Sequence, residues 1–169
     1  MIFKTENLTL RHWRDEDAKC LYHFAKNPKI GPVAGWPAHE SEEYSLNIIK
    51  TVLNRKESYA VVKDNIPIGS VSLLLHPDTH HWWGDDSAEL GYWIAHEYWG
   101  RGYATESSEV LIKRAFNDLG IKQIYATYKC ENIASKRVLE KLGFKYYAEL
   151  TNIDYLNRPF REVAMKLEK

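Results

Sequence analysis

Residues Ala88–Ser107 read AELGYWIAHEYWGRGYATES, and this stretch decides the fold. In its first half, Ala88–Ala95, the residues Leu90, Tyr92 and Ile94 alternate with Glu89, Gly91 and Trp93. An alternation rich in aromatic and branched side chains is a two-faced β-strand. Gly100-Arg101-Gly102-Tyr103-Ala104-Thr105 is a small-residue turn, and from Ala104 onward Ser108, Leu111, Ile112, Ala115, Phe116 and Leu119 recur at helical spacing. The predicted order is strand, tight glycine turn, helix over Arg101–Leu119. The first turn of a helix carries backbone N–H groups without intrahelical partners, at the positive end of the helix dipole. Glycines let the oxygens of a ligand approach those groups closely. The expected guest is a phosphate or pyrophosphate.

Two familiar phosphate sites do not fit. A nucleotide P-loop needs Gly-Lys-Ser/Thr after its first glycine, and no such tripeptide follows Gly100. A dinucleotide fingerprint wants glycine where Thr105 stands, and an acid about 20 residues on, where Tyr128 and Lys129 lie. A glycine turn with a packing role alone stays open as the plain alternative.

The turn has a companion further along. Trp99-Gly100-Arg101-Gly102-Tyr103-Ala104 is followed by Asn132-Ile133-Ala134-Ser135 and then Leu142-Gly143-Phe144. Together these resemble the two signatures of the GNAT superfamily of acetyl-coenzyme A-dependent N-acetyltransferases. The family's phosphate loop reads Gln/Arg-x-x-Gly-x-Gly/Ala, with Trp99 here at the Gln/Arg position. The pattern is most similar to the ribosomal-protein N-terminal (alanine/serine) acetyltransferase branch, in which Trp before the loop and Ser three after the Asn recur. The resemblance runs from Leu8 to Leu167 and implies one GNAT-like domain over residues 1–169.

Composition narrows the class. The chain has 169 residues, enough for one domain with a real core. Lys+Arg and Asp+Glu both number 23, so no overall field favours nucleic acid or a membrane surface. Met1–Leu10 lacks the apolar core of a signal peptide, and no apolar run is long enough to span a bilayer, so a cytoplasmic protein is expected. Cys20 and Cys130 have no metal-ligand spacing and read as reduced thiols. Six Trp and eleven Tyr imply a well-packed core, an aromatic-walled cleft, or both.

Taken in order, Leu8–Trp13 alternates as a strand, and Asp15–Lys26 has Ala18, Leu21, Tyr22 and Ala25 on one helical face. Gly31–His39 is a loop punctuated by Gly and Pro, and Glu40–Arg55 is a second helix with Tyr44, Ile48 and Val52 in a stripe. Ser58–Lys63 and Ile66–His76 form a hairpin turning at Asp64-Asn65. His76–Asp86 is a polar, aromatic loop whose three His and acidic residues lack a spacing that would fix a metal geometry, so no metal is expected. Trp82 and Trp83 suit a surface that faces a substrate or a second subunit. Gln123–Tyr128 is a strand, Asn132–Leu142 a short helix ended by Gly143, and Phe144–Leu150 and Phe160–Leu167 the last strands. The order βααβββαβαββ predicts an α/β fold. Its sheet is mixed and mostly antiparallel, with helices on both faces. The helix over Arg101–Leu119 makes a right-handed crossover, so the two strands it joins are parallel.

The resemblance implies a cofactor and a reaction. Acetyl-CoA is the expected cosubstrate, its pyrophosphate over the N–H groups of Gly100–Thr105 and its pantetheine beside Trp93, Ile94 and Ala95, where the parallel strands splay. Trp99 and Asn132 belong to the same cofactor set. An N–H of the splayed strand is placed to polarise the thioester oxygen. Many relatives use a Tyr seven residues after the Asn to meet the leaving thiolate. Leu139 stands there, so Ser135, four residues away on the same helical face, is the expected hydrogen-bond donor. Its alternatives are a cofactor contact or a helix-start residue. Glu89, on the central strand, is the candidate to deprotonate an amine whose ordinary pKa is about 10.4; the alternative is a strand carboxylate paired with Lys or Arg. Trp36 lines the acceptor pocket or caps the core. The implied activity is transfer of an acetyl group to a primary amine, on a protein N-terminus or a small molecule, by direct attack in a ternary complex. A monomer or homodimer both suit it. An acyl-CoA-binding sensor without transferase activity is the alternative.

Overall fold

The computed structural model describes residues Met1–Lys169. Eight strands form one sheet: β1 (Ile2–Lys4), β2 (Thr9–Arg11), β3 (Ser58–Lys63), β4 (Ile66–Leu75), β5 (Ser87–Ile94), β6 (Gln123–Lys129), β7 (Lys145–Ile153) and β8 (Pro159–Glu168). Their spatial order is β1-β2-β3-β4-β5-β6-β8-β7. All neighbours are antiparallel except β5 and β6, as expected from the crossover helix between them. The helices are α1 (Ala18–Ala25), α2 (Gly31–Ala34), α3 (Glu42–Thr51), α4 (Tyr103–Asp118) and α5 (Ile133–Lys141).

The alternation along each strand sends side chains to two separate cores. On one face Ala60 and Val62 of β3 pack with Leu21 and Ala25 of α1 and Ile49 of α3. On the other, Tyr59, Val61 and Leu90 join Leu111 and Ala115 of α4 and Leu139 of α5. The β3–β4 hairpin turns at Asp64 and Asn65, whose φ values of 48° and 66° are the left-handed pair a tight two-residue turn requires. Gly69 of β4 is needed where it stands. A Cβ there would lie 2.3 Å from the carbonyl oxygen of Trp93, so any side chain would push β4 away from β5.

Three expectations are corrected. The strand expected over Leu8–Trp13 is present as β2 but is not the first: β1 precedes it, with only three residues and so too short to show a pattern, paired to β2 and packed through Phe3 edge-on to Tyr59. The Gly31–His39 loop begins with the helical turn α2, because Pro32 sits in its first turn, where the missing N–H costs nothing. The helix expected over Asp15–Lys26 starts as a 3-10 turn at Asp15–Asp17. There Asp17 accepts both Arg11 guanidinium nitrogens, at 2.7 and 2.9 Å, and the Arg14 N–H at 2.9 Å. No helix is long and apolar enough to cross a membrane.

Candidate functional site

The parallel pair is short. β5 and β6 are in register only from Ser87–Glu89 to Gln123–Tyr125. Beyond that point β5 continues alongside β4 and β6 alongside β8, so the sheet opens as a fork with Glu89 and Tyr125 at its vertex. Ala95 donates its N–H to Ile68 of β4 at 2.7 Å. Backbone groups alternate sides along a strand, so the polar groups of Ile94 and Tyr92 point into the fork. Of the three residues expected to offer an N–H there, Ile94 does so, while Ala95 is committed to β4.

Past the end of β5 the chain makes a 3-10 turn at His96–Tyr98 and reaches the glycine loop. Trp99 does not face a ligand with its indole N–H; that group donates to the Ile94 carbonyl at 2.6 Å and ties the loop to the strand end. Arg101 stacks over Tyr98, 5.5 Å from the ring centroid. Gly100 and Gly102 have φ values of 74° and 80°, a left-handed conformation that turns the chain sharply into α4, and a Cβ at either would meet nothing within 4 Å. Gly102 is the N-cap of α4 without any side-chain cap, and the first helical bond is Glu106 N–H to the Gly102 carbonyl at 2.9 Å. None of the backbone N–H groups from Gly100 to Thr105 donates to a protein acceptor. This run of donors at the positive end of a 16-residue helix, open on its outer side, fits a pyrophosphate.

Ser135 lies on the α4–α5 side of the fork. Asn132 caps α5, its side-chain oxygen accepting the Ser135 N–H at 3.1 Å. The Ser135 hydroxyl is 2.9 Å from the Tyr92 hydroxyl, which also donates to the Ser135 carbonyl at 3.2 Å. In the sequence Tyr92 only shares a strand face with Leu90 and Ile94; its phenol, pushed up to about 12 by burial, reaches across the fork to α5. Leu139 is fully buried and contributes packing alone.

The opposite face is roofed by α2 and the segment after it. Lys129 of β6 donates to the Pro32 carbonyl at 2.8 Å, and Trp36 meets Trp93 of β5 edge to face at 5.9 Å. Trp36 therefore bridges the roof to the fork and also packs against the core on that face. Glu89 lies below, 4 % exposed. It has no Lys or Arg partner. Its carboxylate accepts the His80 N–H at 2.9 Å, the Trp83 indole N–H at 2.9 Å and the His80 ring nitrogen Nδ1 at 2.5 Å. Burial pushes the Glu89 carboxyl up, but the hydrogen bonds and positive charge of His80 and the Trp83 donor outweigh it and hold it below its usual value.

The His76–Asp86 loop is thus folded onto the fork vertex. Trp83 stacks on Tyr125 with ring centroids 4.4 Å apart and planes at 7°. His81 bonds Glu162 of β8 at 2.7 Å, and Asn152 of β7 donates to the same oxygen at 3.2 Å. Trp82 points elsewhere: it is 65 % exposed and packs edge-on against His76. The structure brings Glu89, Trp83, Trp93 and Trp36 together on one side of the fork and Ser135 on the other, and leaves Trp82 outside. His80, Tyr92 and Glu162 are the residues that sequence reasoning missed. Each gains its place from a contact between segments distant in the chain or from loop geometry that periodicity does not report.

Comparison with known proteins places this geometry. Residues 7–145 match the acetyltransferase (GNAT) domain. YoaA of Bacillus subtilis (strain 168), an uncharacterized N-acetyltransferase, is 28 % identical over 163 residues, spanning 92 % of this chain and 89 % of that protein. A GNAT-family acetyltransferase from Bacillus anthracis superposes with a TM-score of 0.82 at 23 % identity, covering 99 % of this chain and 98 % of that one. The ribosomal-protein-S5-alanine acetyltransferase of Vibrio fischeri superposes with a TM-score of 0.72 at 21 % identity, covering 99 % and 96 %.

Proposed function

The chain belongs to the acetyltransferase (GNAT) domain family and is an acetyl-CoA-dependent acetyltransferase; from that premise we propose that it moves the acetyl group to a primary amine, by direct attack within a ternary complex. The observation that carries this reading is the run of unpartnered N–H groups from Gly100 to Thr105, at the open end of the β5–β6 fork. Backbone donors in that position would hold a pyrophosphate, and the unpaired edge of β5 would offer its remaining polar groups to the rest of the cofactor. The Ile94 N–H, directed into the fork, would be available to polarise the thioester carbonyl oxygen.

Acetyl-CoA supplies the activated acyl group; the residues of this chain supply position and proton handling. Ser135 is held by the Asn132 cap and the Tyr92 phenol; with the phenol hydrogen turned from the Ser135 carbonyl to its Oγ, the serine hydroxyl hydrogen would be free for the departing sulfur. A serine hydroxyl is a poor acid, so its part is a hydrogen bond that strengthens as negative charge grows. The amine enters from the face roofed by Trp36, next to Trp93 and above Glu89, and Glu89 serves its deprotonation. The kinship with a Vibrio fischeri enzyme named for an alanine of ribosomal protein S5 makes protein N-termini the first acceptors to try. The test is free-thiol release from acetyl-CoA with a panel of Ala- and Ser-initiated peptides beside amino acids, polyamines and aminoglycosides. Turnover of at least one amine is expected. Acetyl-CoA binding with no turnover across the panel would overturn the assignment of the acceptor as a primary amine.

A further inference from the structure

A carboxylate that already accepts three N–H groups is a poor place to leave a proton. Glu89 is buried, its two oxygens take the His80 N–H, the Trp83 indole N–H and His80 Nδ1, and those donors favour its charged form. The partner on its outer side is better placed. The His80 side chain is 67 % exposed, its Nδ1 is pinned to Glu89, and no protein group is bonded to its Nε2. With Nδ1–H donating to the carboxylate, the neutral ring presents an Nε2 lone pair outward.

We propose that His80 Nε2 takes the proton from the amine, and that Glu89 is the positioning residue that fixes the tautomer of His80 and stabilises its charged form. This rests on the N-acetyltransferase reading above. The ammonium substrate loses its first proton to Nε2, from which it passes to solvent. The freed nitrogen lone pair bonds to the acetyl carbonyl carbon, the carbon–sulfur bond breaks, and its electron pair leaves on sulfur. The second proton leaves the nitrogen during that step and ends on the thiolate. The hydrogen bond to Glu89 raises the His80 pKa above its ordinary value, against a smaller lowering from burial. Two other charges act on the ring: Glu162 of β8 raises its pKa and Arg55 lowers it. Arg55 is itself drawn toward Asp78 at 3.8 Å, and the neighbouring His81 faces Glu162.

The test compares wild type, His80→Ala, His80→Gln and Glu89→Gln with an amine that wild type turns over. In wild type kcat/KM rises with pH as the ring becomes neutral, through a pKa above about 6.5. His80→Ala is expected to lose roughly a hundredfold in kcat/KM, to lose that limb, and to regain part of the rate with added imidazole. Its acetyl-CoA affinity stays at the wild-type level, which shows that the fold is intact. Glu89→Gln removes the negative charge, so the limb and the NMR titration of the His80 ring protons both move to lower pH by the same amount. His80→Gln keeps a donor to Glu89 but accepts no proton, and should lose as much rate as the alanine variant. Wild-type rate in His80→Gln would reduce His80 to a loop anchor. Loss of activity in Glu89→Gln without movement of the His80 titration would make Glu89 the direct acceptor. Absence of turnover by wild type on every amine would sink the primary-amine reading, and this role with it.

Discussion

The two ends of β5 are built by opposite means. At its C-terminal end the site is backbone: donors from Gly100 to Thr105 have no protein partner, and the two glycines leave open space beside them. At its N-terminal end the site centres on a side chain, the Glu89 carboxylate, which takes three donors from the folded-back loop. The first end needs the two left-handed glycines and the Trp99 tie to the strand end, with no charged group bonded at the donors. The second depends on a loop folding back so that His80 and Trp83 meet a carboxylate on a strand. A binding function common to a family can rest on backbone, whereas acceptor handling rests on contacts that loops bring.

The comparison breaks most visibly at the backbone end. Gly102→Val puts a branched residue at φ 80°, where it is strained, so the turn leaves that conformation and swings its N–H groups off the ligand. Acetyl-CoA affinity should fall by about a hundredfold, roughly 2.7 kcal/mol, by isothermal titration. Unchanged affinity would dissociate the loop from the cofactor. Between the two ends lies Ser135→Ala, which removes a hydrogen bond to a sulfur gaining charge. A loss of about tenfold to a hundredfold in kcat is expected, with acetyl-CoA affinity little changed. An equal loss in both would make Ser135 a cofactor contact only.

Smaller effects sharpen the acceptor end. Trp83→Phe keeps an aromatic ring over Tyr125 and removes one donor to Glu89. The lost hydrogen bond is worth about 1 kcal/mol, so kcat/KM for the amine should drop about fivefold while acetyl-CoA affinity holds. A fall in cofactor affinity instead would show that the two ends are coupled. Trp82→Ala should do least. Its ring is mostly exposed, and stability by urea unfolding should stay within about 0.5 kcal/mol of wild type. A large rise in the KM of the amine would return Trp82 to the acceptor surface.

What could be read without the structure was whatever a local period or a turn expresses. The alternation in Ala88–Ala95 and the helical stripe from Ala104 to Leu119 are local, and they yielded β5, α4 and the parallel pairing of β5 with β6. The glycine turn before α4 and the polar start of α5 follow from residue types in short order, so both helix starts were legible to within two residues. β1 was not, since three residues carry no period, and α2 was hidden by a proline that helices tolerate in their first turn.

The sequence by itself determined the mixed sheet, its crossover and the backbone donors at the head of α4, because hydrophobic period, glycine conformation and helix-end chemistry act over a few neighbouring residues. Only the tertiary structure decided which side chains share the cleft. Tyr92 and Ser135 are 43 residues apart in the chain, and His81 and Glu162 are 81 apart. His80 meets Glu89 because the loop between β4 and β5, patterned as neither helix nor strand, turns back to satisfy a carboxylate that would otherwise be buried without partners.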